Sequence, residues 1–449
     1  MKYFGTDGIR DRVDGPLLEE SFVWRVGAAL GRWLNARHQK GASPHVIIGR
    51  DTRASGGRLL YVMTEGLHAE GIKVFDGGIV PTPAIALAVS DLDLDLGIVI
   101  TASHNPATDN GIKLFAPGGV KLRDEDEQAI EGWIDAVAAR RSPSLVPPPI
   151  MLYDARRHYL ERIRRDSTPT LLVGKRILLD TANGAASFTT PEILAELGAQ
   201  LICRGNDPSG HNINSDVGSE YVDLLAPRVR DLPVDIASAH DGDGDRVIFV
   251  DENGKVVDGD ALMAVIACHW LAEDRLRNRT LVTTVMSNAG LDAAVRTAGG
   301  QVLRSDVGDR NVFFQMIEGD FNFGGESSGH FILRDTLPSG DGLLAALEVL
   351  RLMVETGKSL AELSAVYQPS PQARVNLKVS EKPALESIPA LQRDLEAFNA
   401  SLSEGARSLL RYSGTEPRIR LLVEAPDKSV AEQALKNLTE IVRRHLSVI

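Results

Sequence analysis

Cysteine is nearly absent from this chain. Cys203 and Cys268 are the only two among 449 residues. They stand far apart and without metal-ligand spacing, so a disulfide scaffold is excluded and a reduced compartment fits. Long apolar runs are missing as well. The longest, Ala261 to Ala272, is too short to span a bilayer and holds His269, and Met1 to Thr6 lack the apolar core of a secretion signal. A cytoplasmic protein with no membrane partner is expected. Nor is basic charge in excess: 49 Lys and Arg against 61 Asp and Glu leave −12. That balance argues against a nucleic-acid partner and makes any focus of positive charge local.

Apolar residues make up 43% of the chain, enough for substantial cores, and the length suits three or four domains. Strand signals at Val46 to Gly49 and Ile72 to Phe75 alternate with helix signals at Gly57 to Glu70 and Thr82 to Ser90, a βαβ pattern. A helix predicted over Asp124 to Arg141 leads into Ser142-Pro143 and Pro147-Pro148-Pro149, a stiff connector poor in N–H donors. Two further blocks alternate in the same way, compatible with an ancient duplication. The last block reads strand, helix, strand, strand, helix. The expected fold is therefore α/β: three similar mixed α/β domains over 1–147, 148–251 and 252–368, then a C-terminal α+β domain over 369–449.

Each block contributes one polar, glycine-rich turn. In the first, the apolar run Leu94 to Ile100 reads as a strand buried on both faces. Asn105-Pro106 bars a helix, so Ser103 and His104 are expected at the carboxyl end of that strand, with the hydroxyl presented rather than packed. Such a serine needs activation or prior modification, and His104 and Lys113 could exchange protons or hold a phosphate charge. A plain turn would favour the same residue types. Arg10, in Gly5 to Arg10, could face a phosphate or pair locally; for Arg50 to Arg53, after a strand end, the local ion pair is the preferred reading.

In the second turn Asp241, Asp243 and Asp245 alternate with glycines that let the backbone curl until three carboxylates meet one ion. Hard oxygens of this kind suit Mg²⁺. A calcium EF-hand loop fails because Arg246 stands where the sharp turn needs glycine, and because Val247 to Val250 is strand-like. A solvated acidic turn remains the alternative. In the third turn Glu326 and Ser328 offer an anionic acceptor and a hydroxyl for neighbouring sugar hydroxyls, with His330 two residues on; a hydrogen-bonded turn would use the same residues. In the fourth, Ser413 and Thr415 flank Gly414 in an anion nest, and Arg411 and Arg420 can fork onto phosphate oxygens.

TASHNP (101–106), DGDGDR (241–246), GGESSGH (324–330) and RYSGTEP (411–417), in this order and one per domain, resemble the α-D-phosphohexomutase superfamily over essentially the whole chain. The opening KYFGTDGIR and the run Val307-Gly308-Asp309-Arg310 are most similar to its phosphoglucosamine mutase branch. Departures from that branch are Ser327, where Gln is usual, Thr101, where Ser is common, and Asp11, where Gly is frequent. The resemblance implies four domains around a central cleft, a phosphoserine at Ser103, and Mg²⁺ held by Asp241, Asp243 and Asp245 beside it. It also implies that Glu326 and Ser328 read sugar hydroxyls, with Asp309 in the substrate site. Arg411, Ser413, Gly414, Thr415 and Arg420 would then seat the non-reacting phosphate. Arg10, His104, Lys113, Arg246 and His330 would surround the phosphoryl group or assist proton transfer.

The implied reaction interconverts glucosamine 6-phosphate and glucosamine 1-phosphate through glucosamine 1,6-bisphosphate, feeding UDP-N-acetylglucosamine synthesis. A phosphomannomutase/phosphoglucomutase and a Mg²⁺-dependent sugar phosphatase using Asp241 as nucleophile stay open. So do monomer and homodimer.

Overall fold

Three times along the chain a buried parallel strand ends in a polar loop and returns as an antiparallel neighbour. Leu96–Ile100 lies parallel to His45–Arg50 and antiparallel to Asp109–Ala116. Ile236–His240 lies parallel to Arg176–Asp180 and antiparallel to Val247–Val250. Phe323–Gly325 lies parallel to Thr280–Thr284 and antiparallel to Phe331–Leu333. The three loops at these reversals hold Ser103, the aspartates and Glu326, so the candidate site residues fall at equivalent positions of three similar sheets. Strand ends at such a change of direction leave a crevice in open α/β sheets.

The computed structural model describes residues 1–37, 43–138, 148–403, 405–413 and 417–449. Its first sheet runs in the order Ile9–Arg12, Asp109–Ala116, Leu96–Ile100, His45–Arg50, Lys73–Ile79, Met151–Leu152, with Val120–Lys121 paired to Asp109–Ala116. Met151–Leu152 and, in the second sheet, Val256–Val257 pair beyond residues 147 and 251, so each sheet overruns the sequence-based boundary by one short strand. The helix expected to reach Arg141 is Asp124–Ala136, and Val137 is already extended. Ser142-Pro143 lies outside the described residues.

The first three domains share a core. The longest apolar run of the sequence is the helix Gly259–Ala272, capped by Asp258, whose side chain accepts from the Ala261 N–H at 3.0 Å. It packs in one cluster with residues of Thr82–Asp91, Ala155–Asp166 and Gly342–Thr356. A helix apolar all round is buried all round. Tyr159, fully buried, donates its hydroxyl to both oxygens of Asp341 at 3.0 and 2.8 Å and ties two of these helices together.

The last domain orders its strands Gln372–Lys378, Arg418–Glu424, Arg407–Tyr412, with Phe398, Leu438 and Val442 of its two helices packed on Leu377 and Ile419. Among the described residues, the polar links that join it to the third domain centre on Asn288 and Glu424. The Asn288 side chain accepts from Ser370 N–H at 2.8 Å and donates to its carbonyl at 3.0 Å. Buried Glu424 accepts from Ala289 N–H at 2.9 Å and is paired with Arg407, which donates to the Val285 carbonyl at 3.0 Å.

Candidate active site

Ser103 follows the strand Leu96–Ile100 with φ +52°, a left-handed conformation that a serine adopts only when held. Its neighbours hold it. Ser103 N–H donates to Thr101 Oγ1 at 2.9 Å, and Thr101 Oγ1 donates to Asp51 Oδ2 at 2.6 Å. Arg53, paired with Asp51 at 2.9 Å, donates to the carbonyls of Ser103, Asn105, Pro106 and Asp109. Asn214 of the second domain donates to the Ser103 and Asn105 carbonyls, each at 2.8 Å. Asp51 and Arg53 thus do form the expected ion pair, and the pair also clamps the serine loop.

The expectation of a presented hydroxyl is corrected. Ser103 is only 1% exposed, because the aspartate loop of the second domain lies on it. Ser103 Oγ donates to Asp241 Oδ2 at 2.6 Å, and a Cβ added to Gly242 would meet the Ser103 carbonyl oxygen at 2.6 Å. His104 Nδ1 lies 3.4 Å from Ser103 Oγ. Burial, then Arg246, lowers the His104 pKa and favours the neutral ring.

Ligand atoms of Asp241, Asp243 and Asp245 lie within 4.8 Å of one another, all three residues buried. Lys113, fully buried on the neighbouring strand, reaches Asp243 at 2.8 Å, Asp245 at 3.0 Å and Asp7 at 3.0 Å. Burial opposes its charge, but these carboxylates outweigh burial and hold its pKa well above the ordinary value, so Lys113 stays cationic. Asp243 also accepts from Thr82 Oγ1 at 2.6 Å. Burial and the charges of Asp245 and Asp243 push Asp241 well up. Even so, Oδ1 of Asp243 and Oδ1 of Asp245 are buried and accept no hydrogen bond. Three hard oxygen donors with orphaned oxygens fit a divalent cation of the Mg²⁺ type.

Beside the triad opens a cleft of about 460 Å³ lined by Tyr3 to Gly8, Arg10, Asp245, Arg246, Val307 to Asp309, Glu326 and His330. Arg10 pairs with Asp7 at 2.8 Å. Glu326 Oε1 accepts from the Gly308 N–H at 3.1 Å, and burial raises its carboxyl. His330 is 4% exposed, its Nε2 3.6 Å from Asp309 and 3.8 Å from Asp245. Ser328 is half-buried in its turn and does not line the cleft. Ser103, His104 and Lys113 are not on the cleft wall either; Asp245 joins their cluster to it. Sequence reasoning missed Asp7 and Lys121, although Asp7 sits in the quoted opening motif. Lys121 Nζ bridges Asp7 at 2.5 Å and Asp309 at 3.1 Å, linking the first and third domains across the cleft.

The described residues of the fourth turn, 411–413 and 417, stand apart from the cleft. Among the described residues, none that lines the cleft belongs to the last domain. Arg411 and Arg420 are cross-strand partners, and burial, then Arg420, pulls the Arg411 guanidinium below its ordinary value. Arg420 donates to Ser413 Oγ at 3.2 Å, and Lys382, unnoticed in the sequence, donates to the Ser413 carbonyl at 2.6 Å. The site has the makings of an anion seat. Gly414 and Thr415 lie outside the described residues.

Comparison with known proteins agrees along the full length. The family description "Phosphoglucomutase/phosphomannomutase, alpha/beta/alpha domain I" matches residues 1–141, its domain II 157–254, its domain III 258–370 and its C-terminal domain 375–441. The chain is 39% identical to the phosphoglucosamine mutase of Syntrophotalea carbinolica, over 100% of this chain and 98% of that protein. It is 40% identical to that of Lactococcus lactis, over 100% and 99%. In fold it resembles a phosphoglucomutase/phosphomannomutase family protein from Burkholderia thailandensis, with TM-score 0.82 and 24% identity over 99% of this chain and 98% of that one. It also resembles the Aspergillus fumigatus N-acetylphosphoglucosamine mutase solved with GlcNAc-6P and magnesium, with TM-score 0.66 and 17% identity over 99% and 96%. Four domains in register and this identity over the whole length settle the assignment: the chain belongs to the phosphoglucosamine mutases of the α-D-phosphohexomutase superfamily.

Proposed function

We propose that the chain interconverts glucosamine 6-phosphate and glucosamine 1-phosphate by carrying a phosphoryl group on Ser103 Oγ. The observation that carries this reading is the Ser103 hydroxyl, held in a left-handed turn and bonded at 2.6 Å to the aspartate triad. One fixed transfer cannot serve both ends of a hexose, so a carrier is needed. Phospho-Ser103 gives its phosphoryl group to O1 of glucosamine 6-phosphate, breaking the Ser103 P–O bond and forming glucosamine 1,6-bisphosphate. The bisphosphate turns end for end and returns the phosphoryl group of O6 to Ser103 Oγ.

Asp241, Asp243 and Asp245, with Ser103, would hold Mg²⁺, which when bound supplies charge neutralisation beside the phosphoryl group. Lys113, cationic and buried, balances the aspartates. His104 Nδ1, 3.4 Å from Ser103 Oγ and favoured in its neutral form, is placed to accept and return a proton. Arg10 and Arg246 would face the phosphoryl group, while Asp309, Glu326 and His330, which line the cleft, orient the sugar; Ser328, off the cleft wall, would reach it only after its turn shifts. Arg411, Ser413, Gly414, Thr415 and Arg420 seat the phosphate that is not reacting. Because its described members, Arg411, Ser413 and Arg420, do not line the cleft, the last domain would swing in about its Ser370 joint, which would also exclude water.

The test is kcat/KM on three substrates with bisphosphate primer present. Glucosamine 6-phosphate is expected to exceed glucose 6-phosphate and mannose 6-phosphate. Preference for either neutral hexose would move the chain to the phosphomannomutase/phosphoglucomutase reading.

A further inference from the structure

Residues 2–8 form a strap along one wall of the cleft: Tyr3, Phe4, Gly5, Thr6, Asp7 and Gly8 all line it. No helix and only the bridge between Gly5 and Gly8 support their backbone; Phe4 is buried in the first-domain core, and Lys2 Nζ and the Tyr3 hydroxyl reach Asp135 at 2.8 and 2.6 Å, while the backbone itself is fastened at two places. At the near end the N–H groups of Lys2, Tyr3 and Phe4, three in succession, converge on the carboxylate of Glu131. Lys2 donates to Oε1 at 2.8 Å and Oε2 at 2.9 Å; Tyr3 and Phe4 donate to Oε1 at 2.6 and 2.9 Å. Successive N–H groups curled round one anion make a nest, and here the anion belongs to the protein. Burial opposes the charge on Glu131, but these bonds outweigh it and lower its pKa.

The far end is tied to the catalytic charges. Asp7 pairs with Lys113, Lys121 and Arg10. Gly8 follows at φ +82°, and a Cβ there would meet the Ile112 carbonyl oxygen at 2.2 Å, so the strap lies directly on the strand that carries Lys113. Across the cleft stand Val307, Gly308 and Asp309 of the third domain. Among the described residues Glu131 makes no hydrogen bond or ion pair with Ser103 or the aspartates; it reaches the reaction only through the strap.

We infer that Glu131 is a positioning residue for the mutase reaction. By fastening the strap it fixes the wall beside which the sugar bisphosphate turns, and so keeps that intermediate in the cleft between the two transfers. The inference rests on the mutase reading above. A loosened wall leaves Ser103 and its triad in place, so phosphoryl transfer from saturating bisphosphate to Ser103 persists. What is lost is retention.

The test compares wild type, Glu131→Ala and Glu131→Gln by amide hydrogen exchange and by bisphosphate released per turnover. Glu131→Ala is expected to speed exchange within residues 2–8 and to raise both released bisphosphate and its KM as activator by about tenfold, with phosphorylation of Ser103 at saturation within about twofold. Glu131→Gln keeps the oxygen that takes most of the bonds and is expected to fall between; it carries the same measurements if the alanine variant does not fold. Faster exchange in the strap with unchanged release and KM would overturn the inference, as would unchanged exchange. If wild type itself shows no mutase turnover, the function fails first, and the exchange result still reports whether Glu131 fastens the strap.

Discussion

Ser103 and Asp241 are 138 residues apart, in different domains, yet the hydroxyl of one donates to the carboxylate of the other at 2.6 Å. In the proposed mechanism the carrier oxygen therefore sits beside the carboxylates that would hold the metal. Chelation is expected to stop turnover, and Mg²⁺ to restore it. Asp241→Asn or Asp243→Asn should cost about a hundredfold or more in kcat, the equivalent of several kcal/mol of lost charge stabilisation. A readout independent of activity is thermal unfolding: added Mg²⁺ should raise Tm in wild type and much less in either variant.

Lys113 is the counter-charge to two buried carboxylates, Asp243 and Asp245, and to half-buried Asp7. Removing one partner of a buried ion cluster leaves uncompensated charge and costs about 3–5 kcal/mol. Urea unfolding of Lys113→Met should show a loss of that order, partly recovered by excess Mg²⁺. A loss below about 1 kcal/mol, the range of exposed pairs, would contradict the role.

How much of this was legible beforehand follows from what each residue depends on. Ser103 and the aspartates were readable because an apolar run followed by Gly, Asn or Pro marks a strand end, and strand ends carry ligands. The alternation in the last domain was readable for the same local reasons. Which loops touch was not. Asp7 and Lys121 meet across 114 residues, and Asn214 reaches Ser103 across 111. Local periodicity holds no record of such contacts. The burial of Ser103 was misjudged for that reason: its turn would present the hydroxyl, but the residue that covers it comes from another domain.

The cross-strand guanidinium pair should act on binding. Arg411→Ala or Arg420→Ala is expected to lower kcat/KM for glucosamine 6-phosphate by about ten- to a hundredfold, mostly through KM, because charge-assisted bonds to phosphate would be lost. Phosphate protection of the wild-type strands Arg407–Tyr412 and Arg418–Glu424 in hydrogen exchange, absent in the variants, would locate the seat.

Asp260 anchors the joint of the last domain, accepting from Asn288 N–H at 2.8 Å, and burial pushes its carboxyl from 3.8 up to about 6. A raised carboxyl pKa means that the folded state holds the proton more tightly. Its contribution to stability is complete below pH 3.8 and lost as pH rises through about 6. At about 1.4 kcal/mol per pH unit, wild type should lose about 3 kcal/mol relative to Asp260→Asn between pH 3 and 7. Paired urea titrations across that range measure it; a flat difference would contradict it.

The phosphate carried by one serine can be observed directly. Enzyme quenched during turnover with glucosamine 6-phosphate and bisphosphate primer is digested, and the peptide containing Ser103 is weighed by mass spectrometry. One added phosphate on Ser103, absent from an inactive Ser103→Ala variant, is the predicted result. Sustained mutase turnover with Ser103 never phosphorylated, or full activity in Ser103→Ala, would contradict it.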